Sequence, residues 1–136
     1  MTQRAISTFD VTGWDPTPYD QGVPGPHLAR VKVRKSFRGD LVGESTADLM
    51  TCVGDPGNPS GGAGYIAAER VIGRLAGRTG TFVLHHWGIS GGATQTTAGH
   101  VVPGSATGEL AGLTGRVEIT VDPEAGHVLT LDYELA

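Results

Sequence analysis

The stretch Arg30-Val31-Lys32-Val33-Arg34-Lys35-Ser36-Phe37-Arg38-Gly39-Asp40-Leu41-Val42-Gly43-Glu44-Ser45-Thr46-Ala47-Asp48-Leu49 decides the fold. Its residues alternate with period two on both sides of Gly39-Asp40, the rhythm of strands rather than of a helix. Gly39-Asp40 reads as a two-residue hairpin loop between a strand over 27–38 and one over 41–53. That register pairs Phe37 with Val42, Lys35 with Glu44, Val33 with Thr46, Val31 with Asp48, and Ala29 with Met50. The other face of the first strand carries Arg30, Lys32, Arg34 and Arg38, which need solvent. The interior is therefore expected to receive Lys35, Glu44 and Asp48 among valines.

The rest of the chain follows the same rhythm. Further strands are expected over about 4–14, 64–76, 80–90, 93–102, 116–122 and 127–135. Residues 15–26 hold four prolines and read as a loop, as do residues 54–63. Residues 103–115 leave room for at most one helical turn, at Glu109-Leu110-Ala111. Eight strands joined mostly by hairpins leave two edges open unless the sheet closes, so the expected fold is all-β, an eight-stranded antiparallel closed barrel. A flattened sandwich is the alternative. No internal repeat or domain boundary appears, and residues 1–136 read as a single domain.

Two further turns fix which side chains face inward. Arg78-Thr79, flanked by Gly77 and Gly80, is expected to be a two-residue loop that pairs Leu75 with Phe82, Gly73 with Leu84, and Val71 with His86. Tyr65, Glu69, Val71, Leu84 and His86 then share one face, with Glu69 diagonal to His86 and within side-chain reach. A loop at Glu124-Ala125-Gly126, with Gly126 in the left-handed position, pairs Val121 with Leu129 and Ile119 with Leu131. Tyr133 continues that face.

Composition narrows the function classes. The 136 residues are 38% hydrophobic and 18% charged, ordinary for a globular domain, and 22 glycines spread between apolar runs imply many tight turns. A net charge of −4 argues against a nucleic-acid partner held through phosphates. Cys52 is the single cysteine, so no intrachain disulfide can form. It has no basic activator nearby and reads as a structural thiol. No stretch is long and apolar enough for a bilayer, and Met1-Thr2-Gln3-Arg4 opens no signal peptide. The expectation is a cytoplasmic protein with neither a membrane nor a nucleic-acid partner.

Motifs are sparse. His85 and His86 are strand neighbours and face opposite sides, so they cannot chelate one ion. With His27, His100 and His127 scattered, no metal-ligand spacing appears, and neither metal nor cofactor is expected. Ser60-Gly61-Gly62-Ala63-Gly64 and Ile89-Ser90-Gly91-Gly92-Ala93 open no helix and make poor phosphate cradles. Trp14 and Trp87 read as packing or lip residues.

What stands out is a conflict: the apparent core contains Lys35, Glu44, Asp48, Glu69 and His86. Such groups pair, stay near water, or shift their pKa. On the structural reading they form locked pairs, Lys35 with Glu44 and Glu69 with His86. On the functional reading they are the polar end of an apolar cavity. His86, Glu69 and Glu44 are then the candidate catalytic groups, and Lys35, Phe37, Asp48, Met50, Tyr65, Val71, Leu84, Leu131 and Tyr133 the candidate ligand contacts.

Four segments carry a resemblance: Gly43-Glu44-Ser45-Thr46, the run Glu69 to His86, the run Gly104 to Gly115, and Leu131-Asp132-Tyr133-Glu134-Leu135. In order and spacing they are similar to a bacterial domain-of-unknown-function family with an allene-oxide-cyclase-like barrel. The resemblance covers essentially the whole chain and implies an eight-stranded barrel of the lipocalin-like, calycin type. The wider group includes allene oxide cyclases, dirigent proteins and polyketide cyclases, which steer a reactive substrate inside a barrel. With the polar end of an apolar cavity read above, analogy to that group gives the expectation of a cofactor-free isomerase or cyclase acting on a small, largely apolar, oxygenated metabolite of polyketide or oxidised-lipid type, while the resemblance itself implies little about activity. This is fold-level analogy. A small-molecule-binding barrel without turnover, or a filled barrel acting through an oligomer or partner interface, are the alternatives.

Overall fold

The computed structural model describes residues 1–58, 61–92 and 94–136. Pro59 and Ser60 of the expected second loop, and Ala93 at the expected start of the sixth strand, lie outside the described residues. Eight strands follow one another: β1 (Gln3–Tyr19), β2 (His27–Gly39), β3 (Leu41–Val53), β4 (Ala63–Leu75), β5 (Arg78–Gly91), β6 (Thr94–Val101), β7 (Thr114–Asp122) and β8 (Gly126–Glu134). Each pairs antiparallel with the next, and β8 returns to β1, so the sheet closes into a barrel. A 3-10 turn at Gly108–Leu110 takes the place of the expected turn one residue later. Its Leu110, with Leu113, is almost wholly buried and plugs one end of the barrel.

β1 runs five residues beyond its expected end, through Pro16 and Pro18. It meets β8 only over Gln3–Phe9. Beyond Phe9 it pairs with β2 alone. Its other edge is open there, and an open edge is where a strand tolerates a residue that cannot donate. A bulge between Val11 and Gly13 inserts one residue. It exchanges the inward and outward positions, so Trp14 stands opposite Val33 on the inner face.

The first hairpin departs from expectation by one residue. Lys35 stands opposite Ser45, and Glu44 opposite Ser36. Asp40 is drawn out of the hairpin by β1: its N–H donates to Ile6 O at 3.2 Å, and its carboxylate accepts from Ile6 N–H at 2.9 Å. The turn therefore centres on Asp40, and a slip of one residue turns over every side chain of β3. Leu41, Ser45, Ala47 and Leu49 point inward, while Glu44, Asp48 and Met50 point outward.

The other two hairpins also shift, but by even numbers. The β4–β5 turn is Ala76-Gly77, not Arg78-Thr79, so Val71 meets Phe82 and Leu75 meets Arg78. Both turn residues have positive φ, 53° and 76°, as a type I′ turn requires. In the last hairpin Val121 meets His127 and Ile119 meets Leu129, with Gly126 at φ 82° as expected. Even shifts leave sidedness intact.

The interior has two apolar clusters. The larger one, at the plugged end, joins Phe9, Phe37, Val71, Leu84, Leu131 and Tyr133 with the plug leucines. The smaller one joins Ala29, Val31, Val33, Ala47, Leu49 and Ala67, with Tyr65 against it.

Candidate active site

Between the two clusters lies a polar layer, built by one inward position on each of four successive strands: Lys35 on β2, Ser45 on β3, Glu69 on β4 and His86 on β5. The flanking inward positions are Val33 and Phe37 on β2, Gly43 and Ala47 on β3, Ala67 and Val71 on β4, and Leu84 and Gly88 on β5, so the layer lies between apolar positions. Glu69 is its hub. Oε1 accepts from Lys35 Nζ at 2.9 Å and from His86 Nε2 at 2.8 Å, and Oε2 accepts from the Ser45 hydroxyl at 2.6 Å. Lys35 Nζ also sits 4.6 Å from the Phe9 ring centroid, a cation over an aromatic face. Among the described residues no buried side-chain polar atom lacks a partner.

Burial by itself would raise the Glu69 carboxyl. The hydrogen bond from His86, the charge of Lys35, the attraction of His86 and the Ser45 hydroxyl outweigh it and hold the group at about 2. Glu69 is therefore an anion, and its proton-poor oxygen fixes the imidazole: Nε2 carries the hydrogen and donates to Oε1. Nδ1 faces the Tyr65 hydroxyl, whose Oη lies 3.1 Å from it. Burial first, and then the charge of Glu69, push the Tyr65 phenol up to about 12, so it is protonated. The two rings meet edge-on at 5.5 Å. The result is a hydrogen-bonded chain, Tyr65 Oη to His86 Nδ1 and His86 Nε2–H to Glu69.

Two glycines make room for it. Gly99 stands opposite His86, and a Cβ there would overlap the His86 side chain. Gly88 stands opposite Tyr65, and a Cβ there would overlap the phenol ring. Tyr65 is half-buried and is the outer member of the chain. It lines an open cavity of about 240 Å³ at the unplugged end, together with Trp14, Leu49, Thr51, Gly88 and Ile89.

The structure sorts the sequence-predicted site residues. Glu69, His86, Lys35 and Tyr65 come together. Glu44, expected in the lumen as a catalytic group and as the partner of Lys35, is instead on the outer wall; Lys35 pairs with Glu69. Asp48 and Met50 are likewise outside, turned over by the slip of β3. Glu44 and Asp48 border a broad hollow of about 590 Å³ on that outer face, with Arg34 and Arg70. Phe37, Val71, Leu84, Leu131 and Tyr133 do point inward, but they are packed into the larger cluster and at most 5% exposed. They fill the lumen instead of lining an opening; the Tyr133 hydroxyl donates to Gln3 at 2.9 Å. Ser45 and Thr51 were not anticipated. Ser45 is in phase with Ala47 and Leu49, and that pattern was the signal for it. Among the described residues no three His, Cys, Asp or Glu side chains gather as a metal site would need, and no helix is long and apolar enough to cross a membrane.

Comparison with known proteins adds the family. No curated protein matches the chain. A crystal structure of a protein of unknown function from the DUF3224 family of Shewanella oneidensis MR-1 superposes with a TM-score of 0.88 at 33% identity, over 100% of this chain and 98% of that one. The family model described as a protein of unknown function, DUF3224, matches residues 5–133. With nearly every barrel residue inside that match, the chain belongs to the DUF3224 family.

Proposed function

We propose that the open end of the barrel binds a small, largely apolar, oxygen-bearing molecule and that Tyr65 exchanges a proton with it. The observation that carries this reading is the double life of Tyr65. Its ring forms a wall of the cavity, and its hydroxyl is hydrogen-bonded to a buried His86–Glu69 pair. With a neutral imidazole the Tyr65 O–H donates to Nδ1, and the lone pairs of Oη are free to take a proton from a C–H acidified by a neighbouring carbonyl. As Oη accepts that proton it passes its own to Nδ1, and Glu69 stabilises the imidazolium. Return of the proton through the same atoms to a different carbon or oxygen completes an isomerisation or ring closure with no net change in protons. The trapping of the ligand against Trp14 and Leu49 would set its conformation, as a cyclase of polyketide or oxidised-lipid type requires.

One observation favours a second reading, a binding barrel without turnover. Lys35 already neutralises Glu69, so an imidazolium would leave one net positive charge in a buried layer. Proton passage must then be concerted, or not occur, with the chain serving only to orient Tyr65 as a hydrogen-bond donor. The test is to screen small enones, β-diketones and phenols by quenching of tryptophan fluorescence. Deuterium uptake at the acidic carbon of each binder is then followed in heavy water. Catalysis requires uptake by the wild type that Tyr65→Phe abolishes while binding weakens no more than about tenfold, the worth of one hydrogen bond. Binding with no uptake in either protein assigns the second reading, and no binding by any compound overturns both.

A further inference from the structure

We infer that the outer wall of β2–β5 next to the open end is the contact face of a symmetric dimer, with a second copy of this chain as its occupant. Two adjacent rows across these strands are apolar and face outward. One row places Met50 opposite Ile66 and Ile66 opposite Trp87, and ends at Arg30 on β2, which stands opposite Met50. The next row runs from Tyr19 and Leu28 to Ile89. Ile66 and Ile89 are about three-fifths exposed, at 62% and 61%, where β-branched side chains of a monomer wall would be expected against a neighbour. Such contiguous exposure marks an interaction site, whereas single exposed apolar residues do not.

Three features choose a second copy as the partner. First, surface: a folded monomer of 14.1 kDa exposes about 6,700 Å² by the usual mass scaling. This chain exposes 7927 Å². The excess, to which the exposed arm of β1 beyond Phe9 and the loop after it also contribute, is larger than the roughly 800 Å² that one partner loses in a standard interface. Second, shape: a two-fold contact needs knob and hole on the same patch. Gly64, between Cys52 and Ile89, carries no side chain, and a hollow of about 370 Å³ opens there beside the protruding Ile66 and Ile89. Third, the rest of the wall offers no second face of this kind for a head-to-tail ring. Among the described residues the other exposed large apolar side chains are dispersed: Met1 and Ile6 near the start of the chain, Val11 and Trp14 at inward positions of β1, Val23 between β1 and β2, Val42 with Ile72 on β3 and β4, and Val121 on β7. Ile89 and Tyr65 border both this hollow and the open cavity, so the second copy would brace the cavity wall.

Sedimentation equilibrium of the full chain tests the inference. The wild type is expected at twice 14.1 kDa at micromolar concentration. Ile66→Arg should weaken association at least 100-fold with an unchanged circular dichroism spectrum, and Ile72→Arg, on the same strand and outside the two rows, should leave it unchanged. Should Ile66→Arg fail to fold, Ile89→Asp interrogates the same face. A monomeric wild type overturns the inference, including one that floats with phosphatidylcholine vesicles and so gives the face to lipid. A dimer that survives Ile66→Arg or Ile89→Asp, folded, overturns it equally.

Discussion

Glu69 and His86 meet on a diagonal: Glu69 stands opposite Leu84 and His86 opposite Ala67, yet Oε1 and Nε2 lie 2.8 Å apart. Neighbours one step off the direct pair are within reach of long side chains on one face of a sheet. The diagonal leaves the positions directly opposite to an alanine and a leucine, so an ionic layer one residue thick fits inside an apolar barrel.

The position of the Glu69 titration makes the protein acid-sensitive. Its folded value, about 2, lies below the ordinary 4.5. A group so depressed contributes stability above its unfolded value, and the contribution is lost as pH falls from about 4.5 towards 2. It corresponds to about 3 kcal/mol at neutral pH. Urea unfolding at a series of pH values should show this decline in the wild type. Glu69→Gln should be less stable at pH 7 and should decline less below pH 5. Parallel declines in the two proteins would remove Glu69 as the cause.

Lys35 should matter more through what it leaves behind than through its own contact. Lys35→Met strands a buried carboxylate with one cation partner fewer, and removing one member of a buried pair costs about 3 to 5 kcal/mol. Adding Glu69→Gln removes the stranded charge. The double variant is therefore expected to be more stable than Lys35→Met alone. Denaturant midpoints of the four proteins in this cycle decide it; additive losses would show that Lys35 and Glu69 are not coupled.

Gly88→Ala should disturb the chain from its outer end. The added methyl group meets the Tyr65 ring, which must turn away or push the strand. Overpacking of this kind costs about 1 to 3 kcal/mol. The specific signature is a shift of the His86 Nδ1 nitrogen resonance as its hydrogen bond from Tyr65 lengthens. Gly91→Ala, in open space on the same strand, should change neither. An unmoved resonance in Gly88→Ala would break the link between ring position and imidazole.

The β4–β5 turn offers a stabilising substitution. Ala76 holds φ 53°, a conformation in which its Cβ crowds the backbone. Asparagine tolerates it and is preferred before glycine in a type I′ turn. Ala76→Asn is expected to raise stability by about 0.5 to 1 kcal/mol. A lower thermal midpoint than the wild type would count against the turn assignment.

The barrel was legible because alternation, turn residues and the need to bury edges all point one way. The Glu69–His86 contact was legible for a subtler reason. The expected hairpin had Val71 opposite His86, and the true one has Ala67 there, with Glu69 midway between them on the chain. A shift of four residues therefore carried His86 from one side of Glu69 to the other, and the diagonal survived. Glu44, Asp48 and Met50 were misplaced because a turn was counted within its own hairpin. Asp40 bonds to Ile6, 34 residues earlier in the chain, and no local rule sees that contact. The pattern within β3 itself held the correction: Leu41, Ala47 and Leu49 form one face, and Glu44, Thr46 and Asp48 the other.

Ser45 and Glu44 give that register its sharpest test, since the two residues are neighbours with opposite fates. In the observed register the Ser45 hydroxyl is buried and donates to Glu69 Oε2, whereas Glu44 is in solvent. Ser45→Ala takes a donor from a buried carboxylate, a loss of about 1 to 3 kcal/mol. It should also raise the Glu69 titration and move the acid transition to higher pH. Glu44→Ala, on an exposed wall, should stay within about 0.5 kcal/mol of the wild type. The two-residue hairpin loop would demand the reverse, with Glu44 the costly position and Ser45 the neutral one. Chemical denaturation of these two single variants therefore separates the registers by sign, whatever ligand the barrel takes.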